Sequence, residues 1–176
     1  EILPIPNNFF DGNRTSQMVE IVHATIGAKP NILQETVLEK DVTYRLDVDY
    51  TVTQTAEPWI RLRYAKTSGY SISFAKTETA DAVPGKHISY EFTMPANAKI
   101  DGTPNFEVVL GENSTAGTGN IYFANVSLRK VENGVVVGEN LLINGDFSFG
   151  EKGAVTTDNI NSQLHGWTTA VSNAES

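Results

Sequence analysis

Val42-Thr43-Tyr44-Arg45-Leu46-Asp47-Val48-Asp49-Tyr50-Thr51-Val52 carries an apolar side chain at every second position and a polar or charged one between. Successive side chains of a β-strand point to opposite faces, so this period of two predicts a half-buried strand. Ile60, Leu62 and Tyr64 form the inward set of the next strand, and Trp59, Arg61 and Arg63 point the other way. Lys66-Thr67-Ser68-Gly69 reads as a turn into Tyr70 to Phe74. After the Pro84-Gly85 turn, Ile88, Tyr90, Phe92 and Met94 alternate with His87, Ser89, Glu91 and Thr93. Asp101-Gly102 and Pro104 precede Phe106, Val108 and Leu110. Gly111 to Asn120 reads as a glycine-rich loop, and Ile121 to Leu128 as a further strand. Short, evenly spaced strands with turns between them predict an all-β sandwich or barrel. No window repeats apolar residues at i, i+3, i+4 and i+7 over three turns, so no helix is expected.

Composition supports the same class and excludes others. The chain has 176 residues, 13 Lys and Arg against 21 Asp and Glu, and a formal net charge of −8. That length suits one domain able to bury roughly 70% of its unfolded surface without staples. An acidic balance argues against nucleic acid and against anionic membrane, both of which recruit basic patches. Without cysteine there is neither a thiol nucleophile nor a thiolate metal site. Apolar runs such as Val135 to Val137 and Leu141 to Ile143 are far too short to span a bilayer. Starting at Glu1 without a signal peptide, the chain reads as a piece of something longer.

Three segments carry a resemblance to a known family. Val37-Leu38-Glu39-Lys40-Asp41-Val42-Thr43-Tyr44-Arg45-Leu46 resembles the "leucine, short turn, Thr-Tyr, alternating strand" segment of jelly-roll carbohydrate-binding modules of families 4, 9, 16 and 22. Ile121-Tyr122-Phe123-Ala124-Asn125-Val126-Ser127-Leu128 resembles their closing strand. Asn140-Leu141-Leu142-Ile143-Asn144-Gly145-Asp146-Phe147, with Gly166-Trp167, resembles their opening strand and first buried tryptophan. The resemblance implies a jelly-roll β-sandwich of two antiparallel sheets, galactose-binding-like, and a non-catalytic role. Here the opening signature follows the closing one after a connector at 133–139. Glu1 to Gly12 also lines up with Glu139 to Gly150 as a weak repeat. Either residues 139–176 return to complete a sandwich whose body is 1–133, or they begin a following module. Strands of an unfinished module would leave their edges unpaired, so the return is the expectation.

Catalysis has little support in the residues. Glycoside hydrolysis needs two carboxylates on either side of a bond, but 21 acids make chance proximity certain. Asp47 and Asp49 share one strand face, where ion pairs to Arg45 or Arg61 are the plain reading. No Gly-x-Ser-x-Gly, His-Glu-x-x-His or phosphate loop occurs, and His23, His87 and His165 stand alone in sequence. Three Asn-x-Ser/Thr triplets, at Asn13, Asn113 and Asn125, are expected by chance in a chain this rich in those residues.

Sugar binding asks for a flat aromatic ring against C–H faces and planar polar side chains for hydroxyls. Trp59 is the candidate platform, with packing at the sandwich edge as its alternative. Arg61 and Asp47 are candidates for gripping hydroxyls, and Tyr70 for edging the site, although Tyr70 alternates with Ile72 and Phe74 as a core residue would. Trp167 and Tyr122 are expected in the core, and one of Phe9 and Phe10 would face outward on a strand. The resemblance also implies structural calcium, for which Gly145 and Asp146 could supply oxygens. However, Ala124 and Ser148 stand where the family has acids. No other cofactor is expected.

The expectation is a non-catalytic module that docks a glucan-type or xylan chain (β-glucan, xylan or starch) for a secreted or cell-surface, multimodular bacterial protein. Its partners would be polysaccharide and other modules of the parent chain, with no nucleic acid and no membrane insertion. The alternative is a structural or adhesive β-sandwich spacer without a sugar site.

Overall fold

The computed structural model describes residues 2–4, 17–22, 28–52, 56–65, 70–77, 85–99, 101, 103–112, 119–149 and 164–173. Side chains of 2–4, 17, 28, 29, 70–77 and 170–173 lie outside that description, as do the Lys66 to Gly69 turn, Phe9 and Phe10. The described strands are β1 (Ile2–Pro4), β2 (Gln17–Val22), β3 (Ala28–Thr36), β4 (Thr43–Val52), β5 (Pro58–Ala65), β6 (Tyr70–Thr77), β7 (Lys86–Thr93), β8 (Phe106–Glu112), β9 (Asn120–Glu132), β10 (Val135–Val137) and β11 (Thr168–Asn173). They form two antiparallel sheets. The first runs β1-β2-β9-β4-β7, with β10 also on β9, and the second runs β11-β3-β8-β5-β6.

The alternation read at 42–52 is the reason β4 can sit at the centre of the first sheet. Tyr44, Leu46, Val48, Tyr50 and Val52 are buried in the core, facing Ile60 and Leu62 of β5 and Val108 and Leu110 of β8 across the sandwich. Full burial of such side chains contributes about 1.5–3 kcal/mol each, so these inward rows dominate stability. Phe92 stacks on Phe106 with ring centroids 4.9 Å apart, joining the two sheets. Buried Asn105 ties the loops at one end. Its Oδ1 accepts from the Leu38 N–H at 2.8 Å, and its Nδ2 donates to the Leu38 and Lys99 carbonyls at 2.8 and 2.9 Å. Tyr122 departs from expectation. Ile121 and Phe123 take the core positions of β9, which turns Tyr122 to the outer face, where its hydroxyl donates to Glu20 Oε1 at 2.9 Å.

Residues beyond β10 pack on this body. Leu142, Phe147, Leu164 and Trp167 are all buried in the same core, with the rings of Phe147 and Trp167 5.5 Å apart. The Trp167 indole N–H donates to the Asn144 carbonyl at 3.2 Å, and β11 then pairs antiparallel with β3 from Thr168↔Leu33 to Asn173↔Ala28.

Trp167→Ala is expected to cost about 3–5 kcal/mol, read by chemical denaturation, since it empties a buried site of that size. Ending the chain at Asn133 removes all four of these core residues. It should lower the melting temperature by more than the roughly 10 °C expected for the single substitution. An unchanged melting temperature would show that residues 134–176 contribute nothing to this sandwich.

Candidate functional site

The outer face of the first sheet is built by the other half of the β4 alternation. Arg45, Asp47 and Asp49 stand in one outward row, and the register sets each against a partner on β7: Arg45↔Glu91, Asp47↔Ser89 and Asp49↔His87. Arg45 Nη2 and Nε both donate to Glu91 Oε1, a contact that raises the guanidinium pKa above its ordinary value. His87 Nδ1 lies 2.6 Å from Asp49 Oδ1 and its Nε2 3.4 Å from Asp47 Oδ1, so one imidazole sits between two carboxylates.

On the other side of β4 the ladder with β9 carries one extra residue. Asp47 pairs with Ser127 but Asp49 pairs with Ala124, so two steps of β4 span three of β9. Asn125 takes up the excess in the left-handed region, with φ at 49°, which a short polar side chain tolerates. The bulge aims its amide at the acid row, and Nδ2 donates to Asp49 Oδ2 at 2.7 Å. Both oxygens of Asp49 are therefore engaged, which accounts for a carboxylate only 5% exposed.

The far wall comes from 140–146. Asn140 Oδ1 accepts from the Leu128 and Leu142 N–H groups at 2.8 and 3.1 Å, and its Nδ2 donates to the Val126 carbonyl at 2.9 Å. The Val126 N–H donates to the Gly145 carbonyl at 2.8 Å. The approach is so close that a Cβ on Gly145 would overlap the Val126 carbonyl oxygen. Between this wall and the β4–β7 row runs an open groove of about 680 Å³. Its floor is Ser127 and Arg129, and its sides carry Asp47, Asp49, His87, Asn125, Asn140 and Asn144. Planar amides, carboxylates and guanidinia dominate, the side chains that hold neighbouring hydroxyls in pairs.

The candidates read from sequence divide between two faces. Asp47 lies in the groove. Trp59 and Arg61 stand on the outer face of the second sheet, since Ile60 and Leu62 between them fill the core. No single ligand spans both, and the ion pair of Arg61 with Asp47 or Asp49 weighed above does not form, because the sandwich lies between them. Trp59 is half-buried, with the Arg61 guanidinium 4.1 Å from its ring centroid, and Arg63 bonds to Glu107 beside it. One face of the ring is thus already taken by a cation. Tyr70 opens β6 opposite Ala65, and its side chain lies outside the described residues.

Calcium finds little at Gly145 and Asp146. The Gly145 carbonyl is bonded to Val126, and Asp146 Oδ1 accepts from Ser148 N and Oγ at 3.2 and 2.9 Å. Among the described residues no three His, Cys, Asp or Glu side chains converge as ligands. Among the described residues, an ion wanting six to eight oxygens would meet there one carboxylate and carbonyls already in use.

His87, Asn125, Arg129 and Asn140 were not singled out from sequence as binding residues. Alternation past Ser127 would have put Arg129 on the outer face. The bulge at Asn125 and the return of Asn140 leave no such periodic signal.

No family model and no curated protein matches the sequence. Solved structures do match. The ligand-free carbohydrate-binding module of PbXyn10C superposes with a TM-score of 0.52 at 18% identity, covering 92% of this chain and 85% of that one. The N-terminal cellulose-binding domain of Cellulomonas fimi β-1,4-glucanase C gives 0.51 at 12% identity, over 70% and 83%. A family 4 carbohydrate-binding module gives 0.50 at 13%, over 69% and 87%. With two antiparallel sheets and these neighbours, the chain has the jelly-roll β-sandwich fold that carbohydrate-binding modules of this type share.

Proposed function

We propose that this chain is a non-catalytic polysaccharide-binding module that docks a glucan-type or xylan chain in the groove on the outer face of the first sheet. The observation that carries the reading is the groove itself: an open trough of about 680 Å³ walled by planar polar side chains held in place by one another. Preorganised amides and carboxylates lose little freedom on binding, whereas mobile ones would have to be ordered first. Asp49 is fixed by His87 and Asn125, and the same imidazole reaches Asp47, which lines the groove beside them and would accept from a ligand's hydroxyls. A shallow, wet trough of this kind suits affinities of roughly micromolar to millimolar dissociation constants. The solved structures sharing the fold include a cellulose-binding domain, which supports a β-linked glycan as ligand class.

The arrangement also supports binding without turnover. A hydrolase places its two acids on opposite sides of the scissile bond. Asp47 and Asp49 project from the same strand face, and Asp146 is turned into its own Ser148 turn. In the wider reading, the protein works at a cell surface or outside the cell, beside other modules of its parent chain. Residues 139–176 complete its sandwich.

A second reading places the ligand on the other sheet. Trp59 is half-buried with the Arg61 guanidinium over its ring, and Tyr70 opens the neighbouring edge strand. The two readings separate in one experiment. In affinity gel electrophoresis with xylan, mixed-linkage β-glucan and soluble starch, retardation by at least one polymer is expected. It should be lost in Asp47→Ala and kept in Trp59→Ala. The reverse pattern moves the site to the second sheet. No retardation by any polymer overturns both readings and favours a spacer or adhesive module.

A further inference from the structure

Among the described residues that line the groove, Arg129 is the one whose buried polar atom goes unanswered. Its Nε is buried without a hydrogen-bond partner, and among the described residues the guanidinium makes no hydrogen bond and no ion pair. The residue directly across the ladder is Arg45, so two guanidinium-bearing positions face each other on the groove floor. Like charges placed directly opposite on a sheet face are destabilising. Glu91 answers one of them, since Arg45 turns to it with Nε and Nη2. Among the described residues nothing answers the other.

The acids of the groove are committed elsewhere. Asp49 is held by His87 and Asn125, Asp47 faces His87 Nε2, and Asp146 caps its own turn at Ser148. Charge is therefore segregated along the trough, with the arginine pair at one end and the His87 and Asp49 cluster at the other. Arg45 and Asp49 are four residues apart on β4, about 13 Å at the rise of a strand.

We infer that Arg129 receives a carboxylate of the bound glycan, so that the ligand is a polysaccharide carrying hexuronic acid rather than a wholly neutral chain. This rests on the groove being the glycan site. A guanidinium presents a rigid fork of donors that matches a carboxylate with two parallel hydrogen bonds, and such charge-assisted pairs are the stronger kind. A carboxylate seated there would also offset the facing charge of Arg45. The His87 end would take the uncharged hydroxyls. General attraction to polyanions is not at work, because the chain as a whole carries −8.

The test is affinity electrophoresis in polygalacturonate, in the same polymer after carboxyl reduction, in glucuronoxylan, in unsubstituted xylan and in dextran sulfate. Stronger retardation by each carboxylated polymer than by its neutral counterpart, and none by dextran sulfate, is the expected result. Arg129→Gln should weaken the carboxylated arm about tenfold or more. Arg129→Lys, which keeps the charge but not the fork, should fall between. Because Arg129 has no partner to lose, the melting temperature should stay unchanged in both variants. Equal retardation with and without carboxylates, or an Arg129→Gln variant that binds normally, overturns the inference while leaving neutral glycan binding intact. Retardation by dextran sulfate as strong as by polygalacturonate also overturns it. Failure of every polymer overturns the groove as a glycan site and the inference with it.

Discussion

Four backbone groups on one edge of β9 decide both the sheet and the groove. β2 covers that edge as far as Ala124 and β10 resumes at Lys130, which leaves the N–H and C=O of Val126 and Leu128 to be met by something else. The segment 140–145 meets all four. Gly145 and Leu141 supply backbone partners, and the Asn140 side chain bridges the remaining two. An unpaired buried backbone group costs about 1–3 kcal/mol, so a gap of four would cost more than a marginally stable domain can spare. The same residues that close this gap form the far wall of the groove.

A single inserted residue then gives the groove its chemistry. Were β9 regular through 124–127, Asn125 would continue the alternation and its amide would not reach Asp49. The bulge breaks the period, puts Asn125 in the left-handed region and brings its Nδ2 within 2.7 Å of the carboxylate. With His87 on the other oxygen, Asp49 becomes a fixed, satisfied acid that stiffens the row it belongs to. Preorganisation of this sort comes from packing and hydrogen bonds in the free protein, before any ligand arrives.

The alternating segments were legible because their physics is local. Val42 to Val52 announces its two faces by the pleat alone, and the inward rows of β5, β7 and β8 follow from the same rule. Which sheet each outward row belongs to is not local. Asp47 and Arg61 both read as outward charges, yet β4 and β5 lie in different sheets, so their outward faces are on opposite sides of the molecule. Tyr122 shows the same limit one residue at a time, since only the pairing of β9 with β2 and β4 tells which of an aromatic pair turns inward. Asn125 and Asn140 act through a bulge and a long-range return, and neither leaves a periodic trace.

The groove as the glycan site is tested most directly by an amide and indole NMR titration with xylohexaose and with a glucuronic-acid-bearing xylo-oligosaccharide. The account predicts shifts at the side-chain amide of Asn125 and at the backbone amides of Ser127 and Arg129, with the Trp59 indole N–H unmoved. Shifts confined to the Trp59 indole and its neighbours on the second sheet would contradict it.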